Sequence, residues 1–579
     1  MSVLSPSTGS WLRPQALSLR KRRNRLIVIS NRLPVVFRTG DDGGLRPEPG
    51  SGGLVTALAP VLRDRGGIWI GWPGTTGGRE QIHRAVADAS EQLGYALKPV
   101  ILSAAEIQGF YHGFANEILW PLFHDLETLC NYELRYWQAY REVNRRFAEV
   151  ICETVQAGGF IWIHDYHLMG VAAELRRLGV KSKIGFFLHV PFPPLDTFLK
   201  LPWRMSLLQG LLECDLIGLQ TLRDQRNLVQ CLQFLCNEIQ VLGEGQVVKA
   251  ATRDREVKIG HFPISIDYQA FHTQAANPLV ANKVRALRDR LSERKLIFSV
   301  DRLDYTKGIP YRLQAFRSAL ARYPELRGRI SLLQVVVPSR VNIPEYAKLK
   351  TAIEQLVGEI NGEWARPGDW LPVWYLFDCL SRSDLLTYYR AADISLVTPI
   401  KDGMNLVAKE YCACSTDEAG VLILSKFAGA AEQLGRGALL IDPCDTEGMA
   451  EAIYRAYGMT GEERRRRMHW LQRSILKHDV FWWAEEFLRA AAVTELGAFQ
   501  GTEERVGKPV FDHVFCPQPG RPLPRSHTLT RFPPCLVQSA SINSPNYFIS
   551  GSSLGKRFEN HMASLCRMVC CETLSSGNG

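Results

Sequence analysis

Short apolar runs alternate with helix-like patterns along most of this 579-residue chain, and the alternation comes in two successive sets. The first set lies at 26–29, 68–70, 161–163, 184–188 and 216–219. After about Ser292 the pattern restarts, with runs at 296–300, 332–337, 373–377, 394–397, 421–424 and 439–441. These runs are continuous rather than alternating, so both faces of each strand must be buried, as in parallel sheets covered by helices on both sides. Two sets predict an α/β chain with two doubly wound domains, and the length is sufficient for both.

The predicted domains span 26–275 and 276–477. Pro263, Ile264, Ser265, Ile266 and Asp267 close the first, and a helical stretch over 277–293 leads into the second. An aromatic, amphipathic stretch at 478–496 contains Phe481, Trp482, Trp483 and Phe487. The segment 478–500 is expected to cross back onto the first domain. From 501 onward proline, serine and glycine rise and apolar periodicity is lost, so 501–579 reads as a disordered tail. Residues 1–25 form a basic, acid-free extension, read as disordered; their Ser, Leu and Arg content is also that of an organelle transit peptide.

The formal charge of +10 belongs to the ends. The first 25 residues carry six basic groups and no acid, and the residues after Gln500 carry a net +3, which leaves about +1 for the body. A nucleic-acid partner is therefore not expected. No apolar run reaches the roughly 18 residues that span a bilayer, and the amino end lacks a signal-peptide core, so a cytoplasmic protein without a membrane partner is expected. None of the fourteen cysteines forms a CxxC pair. Cys130, Cys152, Cys214, Cys231, Cys236 and Cys379 read as reduced core thiols, and no metal site or cofactor is predicted.

The apolar run at 394–397 passes directly into Asp402-Gly403-Met404-Asn405-Leu406-Val407-Ala408-Lys409-Glu410, a strand, a tight turn and a helix start. In an open α/β sheet such a junction lies at the carboxyl end of the strands, where ligands bind. The amides of Met404 to Leu406 would open a helix whose positive end suits a phosphate. Two carboxylates flanking free amides suit a sugar nucleotide, although an ordinary turn with a solvated Asp has the same signature. Arg302 and Lys307 follow the first strand of the second domain and can reach the same diphosphate. In the first domain, Ser51-Gly52-Gly53-Leu54 is a glycine turn before a helix, while His164-Asp165-Tyr166-His167 and His189-Val190-Pro191 place polar groups at strand ends.

Eight segments in order resemble the motifs of trehalose-6-phosphate synthases, glycosyltransferase family 20. They are Asn31-Arg32-Leu33-Pro34, Ser51-Gly52-Gly53-Leu54, Leu119-Trp120-Pro121-Leu122-Phe123-His124, His164-Asp165-Tyr166-His167-Leu168, His189-Val190-Pro191-Phe192-Pro193, the run from Arg302 to Gly308, Pro338-Ser339-Arg340, and the run from Asp402 to Glu410. The resemblance covers roughly Arg25 to Leu496. It implies a GT-B fold, two Rossmann-like domains facing a cleft, and a retaining transfer of glucose from a nucleoside diphosphate, usually UDP, to glucose 6-phosphate.

Carried over by motif, Arg32, Tyr111, Trp120, Asp165 and Arg340 would hold the sugar-phosphate acceptor. The nucleotide-sugar donor would take Gly53, His189, Arg302, Lys307, Asp402, Gly403, Met404, Asn405, Leu406, Val407 and Glu410, with Glu410 on the ribose. Asp165, His189, Arg302, Lys307 and Asp402 would surround the reacting centre, in a homo-oligomeric enzyme. The chain has no Asp-x-Asp, so it lacks both the metal-diphosphate motif of the other major glycosyltransferase class and the start of a fused phosphatase domain. Three departures flank the acceptor side: Phe110 before Tyr111, Asp125 after His124, and Val341-Asn342 after Arg340. Glucosylglycerol-phosphate synthase, which uses ADP-glucose and glycerol 3-phosphate, and a catalytically silent regulatory relative are the competing readings. The first is disfavoured by Arg340 and the second by the presence of the whole set of charged residues.

Overall fold

Two parallel sheets carry the two sets of apolar runs. A computed structural model describes residues 26–39, 44–50, 52–76, 78–155, 159–236, 238–340 and 343–492. The predicted extension 1–25, the tail 501–579, the end of the crossing-back segment (493–500), Ser51, Val341 and Asn342 lie outside the described residues.

In chain order, β1 (Leu26–Arg32) leads into a hairpin of β2 (Val35–Thr39) and β3 (Leu45–Pro49). Then follow β4 (Gly67–Trp72), β5 (Ala96–Pro99), β6 (Phe160–His164), β7 (Ile184–Phe187) and β8 (Leu216–Leu219). The set ends with β9 (Gln240–Leu242), β10 (Val247–Ala251) and β11 (Glu256–His261). They assemble in the order β5-β4-β1-β6-β7-β8-β11-β10-β9, with only β10 running antiparallel to its neighbours. The apolar runs explain the parallel part: Val28 and Trp162 pack into one helical layer while Ile27, Ile29 and Ile163 pack into the other. Polar Lys249, Glu256 and Lys258 break that continuity, and there the sheet finishes as an antiparallel edge.

The second sheet joins β12 (Lys295–Arg302), β13 (Ile330–Val337), β14 (Val373–Leu376), β15 (Ile394–Val397), β16 (Val421–Ser425) and β17 (Leu439–Ile441). Its order is β14-β13-β12-β15-β16-β17, all parallel. The direction of strand addition reverses between β1 and β6 in one sheet and between β12 and β15 in the other, which opens a crevice at the carboxyl ends of those strands.

The helix Val480–Ala492 packs on the first sheet, although it follows the second in sequence. Phe487 stacks on Trp162 at 4.7 Å, and a Cβ on Gly185 or Gly218 would lie 2.8 or 2.6 Å from its ring, so those strands need glycine there. Trp483 Nε1 donates to the Phe262 carbonyl at 3.2 Å, and Lys258 Nζ to that of Ala490 at 2.7 Å. One apolar cluster runs from Trp162 and Phe487 through Phe262 and Ile264 to Leu406 and Tyr411.

The nine described cysteines are all free. Cys214 and Cys231 are buried, and Cys130, Cys152 and Cys236 are half-buried. Cys379 corrects the expectation of a core thiol: it is exposed in the turn after β14, where the apolar run has already ended.

Candidate active site

The predicted site residues gather at the carboxyl ends of the strands flanking the two reversals. Arg32 ends β1, Asp165 and His189 follow β6 and β7, Arg302 ends β12, and Arg340 and Asp402 follow β13 and β15; Trp72, which was not predicted, ends β4 beside Arg32.

On the second lobe, Lys307 and Asp402 form an ion pair, with only 11% and 12% of their side chains exposed. The two loops that present them are stitched by Ile400 N donating to the Thr306 carbonyl at 2.8 Å. Beneath them, the wholly buried Arg312 donates to Asp301 at 2.7 Å, Thr398 Oγ1 at 2.9 Å and the Lys307 carbonyl at 3.2 Å. Burial pushes the Asp402 carboxyl up, but Lys307 outweighs it and holds the group below its ordinary value.

Asp402 Oδ1 accepts from Met404 N at 3.2 Å, and Asn405 caps the following helix, Leu406–Cys414, by accepting from Ala408 N at 3.3 Å. Asn405 stands at φ 60°, a left-handed conformation that Asn tolerates. The helix therefore starts at Leu406, and the Met404 amide, expected to be free, is spent on Asp402. The amides of Leu406 and Val407 remain at the positive end of the helix dipole without an intrahelical acceptor. Glu410 lies one turn further, receiving a hydrogen bond from the Tyr389 hydroxyl at 2.8 Å.

The lobes touch around this loop. A Cβ on Gly403 would lie 2.3 Å from the His189 carbonyl oxygen, so only glycine permits that approach. A Cβ on Gly53 would lie 3.1 Å from Leu406 Cδ1, which sets the glycine turn of the first lobe against the helix start. Lys401 Nζ donates to Asp125 Oδ2 at 2.6 Å, giving the first lobe's departure from the family pattern a partner next to Asp402.

On the opposite side, two guanidinium groups rest on aromatic faces. Arg32 lies 4.5 Å from the Trp72 ring centroid and 5.5 Å from that of Tyr111. Arg340, at φ 50°, lies 4.8 Å from the Trp120 ring and donates to the Tyr346 hydroxyl at 2.6 Å. Tyr111 projects from a π-helical segment, Ile107–Leu119, a rare form that recurs at functional sites. Burial raises the Tyr111 phenol, but Arg340, Arg32 and Arg302 together bring it below its ordinary value. Two arginines beside one phenol, the second also 3.8 Å from Asp304 Oδ2, form a ready anion site.

Between these halves, Asp165 stands at φ 77° and accepts from His189 N at 3.3 Å. Burial raises its carboxyl to about 6 against the opposing pull of backbone N–H groups and Arg302. His189 is already engaged: Gln220, oriented by accepting from Ile264 N at 3.0 Å, donates to its Nδ1 at 3.2 Å, so Nε2 carries the proton and donates to His164 at 3.0 Å. What His189 turns toward Gly403 is its main-chain carbonyl. His167 stacks on Tyr111 with a 12° interplanar angle, its Nδ1 4.0 Å from Asp165 Oδ2. Among the described residues no cluster of three or more His, Cys, Asp or Glu side chains is arranged for a metal ion.

Sequence reasoning missed Trp72, Tyr346 and Tyr389. Trp72 ends a strand at the same edge as Arg32, a signal available in the sequence; the other two carry none, because only packing brings them beside Arg340 and Glu410.

A cleft at the carboxyl ends of two sheets, with a cation and a helix end from one lobe and two arginines contributed one by each lobe, defines a two-lobed transferase of phosphorylated substrates. Residues 24–493 match glycosyltransferase family 20, and the chain belongs to that family. It is 42% identical to the trehalose-6-phosphate synthase of Mycobacterium sp. (strain JLS), over 81% of this chain and 96% of the relative. It also resembles the bifunctional trehalose-6-phosphate synthase/phosphatase of Thermoproteus tenax, at 41% identity over 80% of this chain and 63% of that longer protein. The fold matches GT-B structures. These include a UDP-forming α,α-trehalose-phosphate synthase from Burkholderia xenovorans in complex with glucose-6-phosphate (TM-score 0.73, 33% identity, 81% and 100% coverage). Another, from E. coli, is bound with UDP-2-fluoro glucose (TM-score 0.72, 36% identity, 81% and 99% coverage).

Proposed function

We propose that this protein is a UDP-forming α,α-trehalose-phosphate synthase. It transfers glucose, with retention, from a nucleoside diphosphate glucose to the anomeric hydroxyl of glucose 6-phosphate. The observation that carries the reading is the presence, at the same strand ends, of the Arg32–Tyr111–Arg340 cluster, to which both lobes contribute, together with the Lys307–Asp402 pair and the Leu406 helix end. Each of these two groups suits one phosphorylated substrate.

In this reading the first lobe, 26–275, supplies most of the acceptor site and the second lobe adds Arg340: Arg32 and Arg340 on the phosphate, Tyr111 and Trp120 around it, Asp165 on the hydroxyls. The second, 276–477, holds the donor, and 478–500 crosses back to join them. Arg302, Lys307 and the amides of Leu406 and Val407 take the diphosphate, with Gly53 closing over it. Met404 and Asn405 shape that loop, and Glu410 takes the ribose. Asp402 and the main chain at His189 and Gly403 orient the donor glucose.

The bond from glucose C1 to the diphosphate oxygen breaks while the acceptor oxygen bonds to C1 on the same face. The acceptor proton passes to the departing phosphate oxygen. No side-chain nucleophile is required, so the protein supplies orientation and charge neutralisation. The Pro338-Ser339-Arg340 segment, which the resemblance does not lead one to expect in a glucosylglycerol-phosphate synthase, favours glucose 6-phosphate. Product analysis with UDP-, ADP- and GDP-glucose against glucose 6-phosphate and glycerol 3-phosphate tests the reading; product from glycerol 3-phosphate alone would reject it, and no turnover with any pair would favour the silent relative. A cytoplasmic, homo-oligomeric enzyme is the form we propose, checked by fractionation and light scattering.

A further inference from the structure

Resting on the reading that Glu410 receives the ribose hydroxyls, we infer that Tyr389 is a positioning residue for Glu410 and thereby a determinant of selectivity for ribonucleotide over deoxyribonucleotide donors. Tyr389 lies on the helix Arg382–Ala391, not on the donor loop, and is 1% exposed. Its ring packs edge-on against Phe298 of β12 at 5.5 Å, and its hydroxyl donates to Glu410 Oε2 at 2.8 Å.

The geometry divides the carboxylate. Oε2 is occupied from behind by Tyr389, while Oε1 has no protein donor among the described residues. A terminal carboxylate torsion is broad and roughly two-fold, so a Glu held only by its stem sweeps its oxygens through a range of planes. A donor fixed to the sheet through Phe298 selects one plane. It leaves the second oxygen, and the remaining lone pair of the first, facing the same side. A cis-diol needs that arrangement, because its two O–H groups must meet acceptors at fixed separation.

The phenol has a second effect. Burial raises the Glu410 carboxyl, while Tyr389 and then Arg382 oppose the rise. Burial also raises the Tyr389 hydroxyl well above its ordinary value, so it remains protonated and donates to the carboxylate. Tyr389 thus orients Glu410 and works against the shift toward the neutral form that burial imposes.

The test compares kcat/KM for UDP-glucose and its 2′-deoxyuridine analogue in wild type, Tyr389→Phe and Glu410→Gln. Wild type should prefer the ribonucleotide, and Tyr389→Phe should reduce that ratio about tenfold with the KM for glucose 6-phosphate unchanged. Glu410→Gln should reduce the ratio at least as far. An unchanged ratio in Tyr389→Phe, with a reduced one in Glu410→Gln, would overturn the inference and leave the ribose reading intact. An unchanged ratio in Glu410→Gln would overturn the ribose reading itself. Failure of Tyr389→Phe to fold would also overturn the inference, since a hydroxyl required for folding is a structural group.

Discussion

The ammonium of Lys409 donates to the main-chain carbonyl of Ile264 at 2.6 Å, a bond from the helix that begins at Leu406 to the segment by which the chain leaves the first sheet. The helix proposed to bind the diphosphate is thereby fastened to the opposite lobe. Lys409 also reaches Gln433, and it is 1% exposed.

Burial pushes the Lys409 amine down to about 7. Between that value and the ordinary lysine value near 10.4 the unfolded chain binds more protons than the folded one, so this group's contribution to stability rises with pH across the window and is flat below it. Urea unfolding at pH 7 and pH 9.5 should show wild type gaining, relative to Lys409→Met, on the order of a few kcal/mol. Parallel pH dependences in the two proteins would show that the amine is not held as described.

Lys307 faces the charge that grows on the departing diphosphate. Lys307→Ala should lower kcat by about two to three orders of magnitude, comparable to losing one oxyanion donor, and should also lower the melting temperature, because it leaves the buried Asp402 without its partner. Near-normal turnover would remove Lys307 from the leaving-group side.

For the acceptor, Arg340→Ala removes a charge-assisted contact worth about 1.5–3 kcal/mol and should raise KM for glucose 6-phosphate by roughly 10- to 150-fold. Donor KM should barely move. An unaltered acceptor KM would separate Arg340 from the phosphate.

Asp165, with a carboxyl near 6, should impose an acid limb on kcat/KM for the acceptor. Only the ionised form accepts from two sugar hydroxyls, so the rate should fall as pH drops through about 6. Asp165→Asn should be slow and lack that limb; a limb that persists in the variant belongs to another group.

Neutralisation by side-chain cations also predicts that turnover survives exhaustive chelation. Loss of activity in EDTA, restored by Mg²⁺ or Mn²⁺, would contradict it.

Much of the fold could be read in advance. Continuous apolar runs such as 26–29 and 394–397 require burial on both faces, and only parallel strands under two helical layers provide it. The polar residues at the ends of those strands had to lie at one edge of each sheet, so Asp165 could be placed at the edge of the first and Arg302 with Asp402 at that of the second; that the two edges face one cleft, and that Arg32 belongs there, came from the family resemblance. The edge strands β9 to β11 and the hairpin β2–β3 could not, because their mixed composition fits several local structures.

The local sequence also determined that Asn405 and Gly403 would permit a tight turn, since side-chain size and backbone freedom are properties of the residue itself. Tertiary structure alone decided that the Met404 amide is spent on Asp402, that both His189 ring nitrogens are engaged, and that Tyr389 stands behind Glu410. Those outcomes depend on which distant groups compete for a hydrogen bond at a distance near 3 Å, and sequence periodicity carries direction along an element but no such distance across the fold.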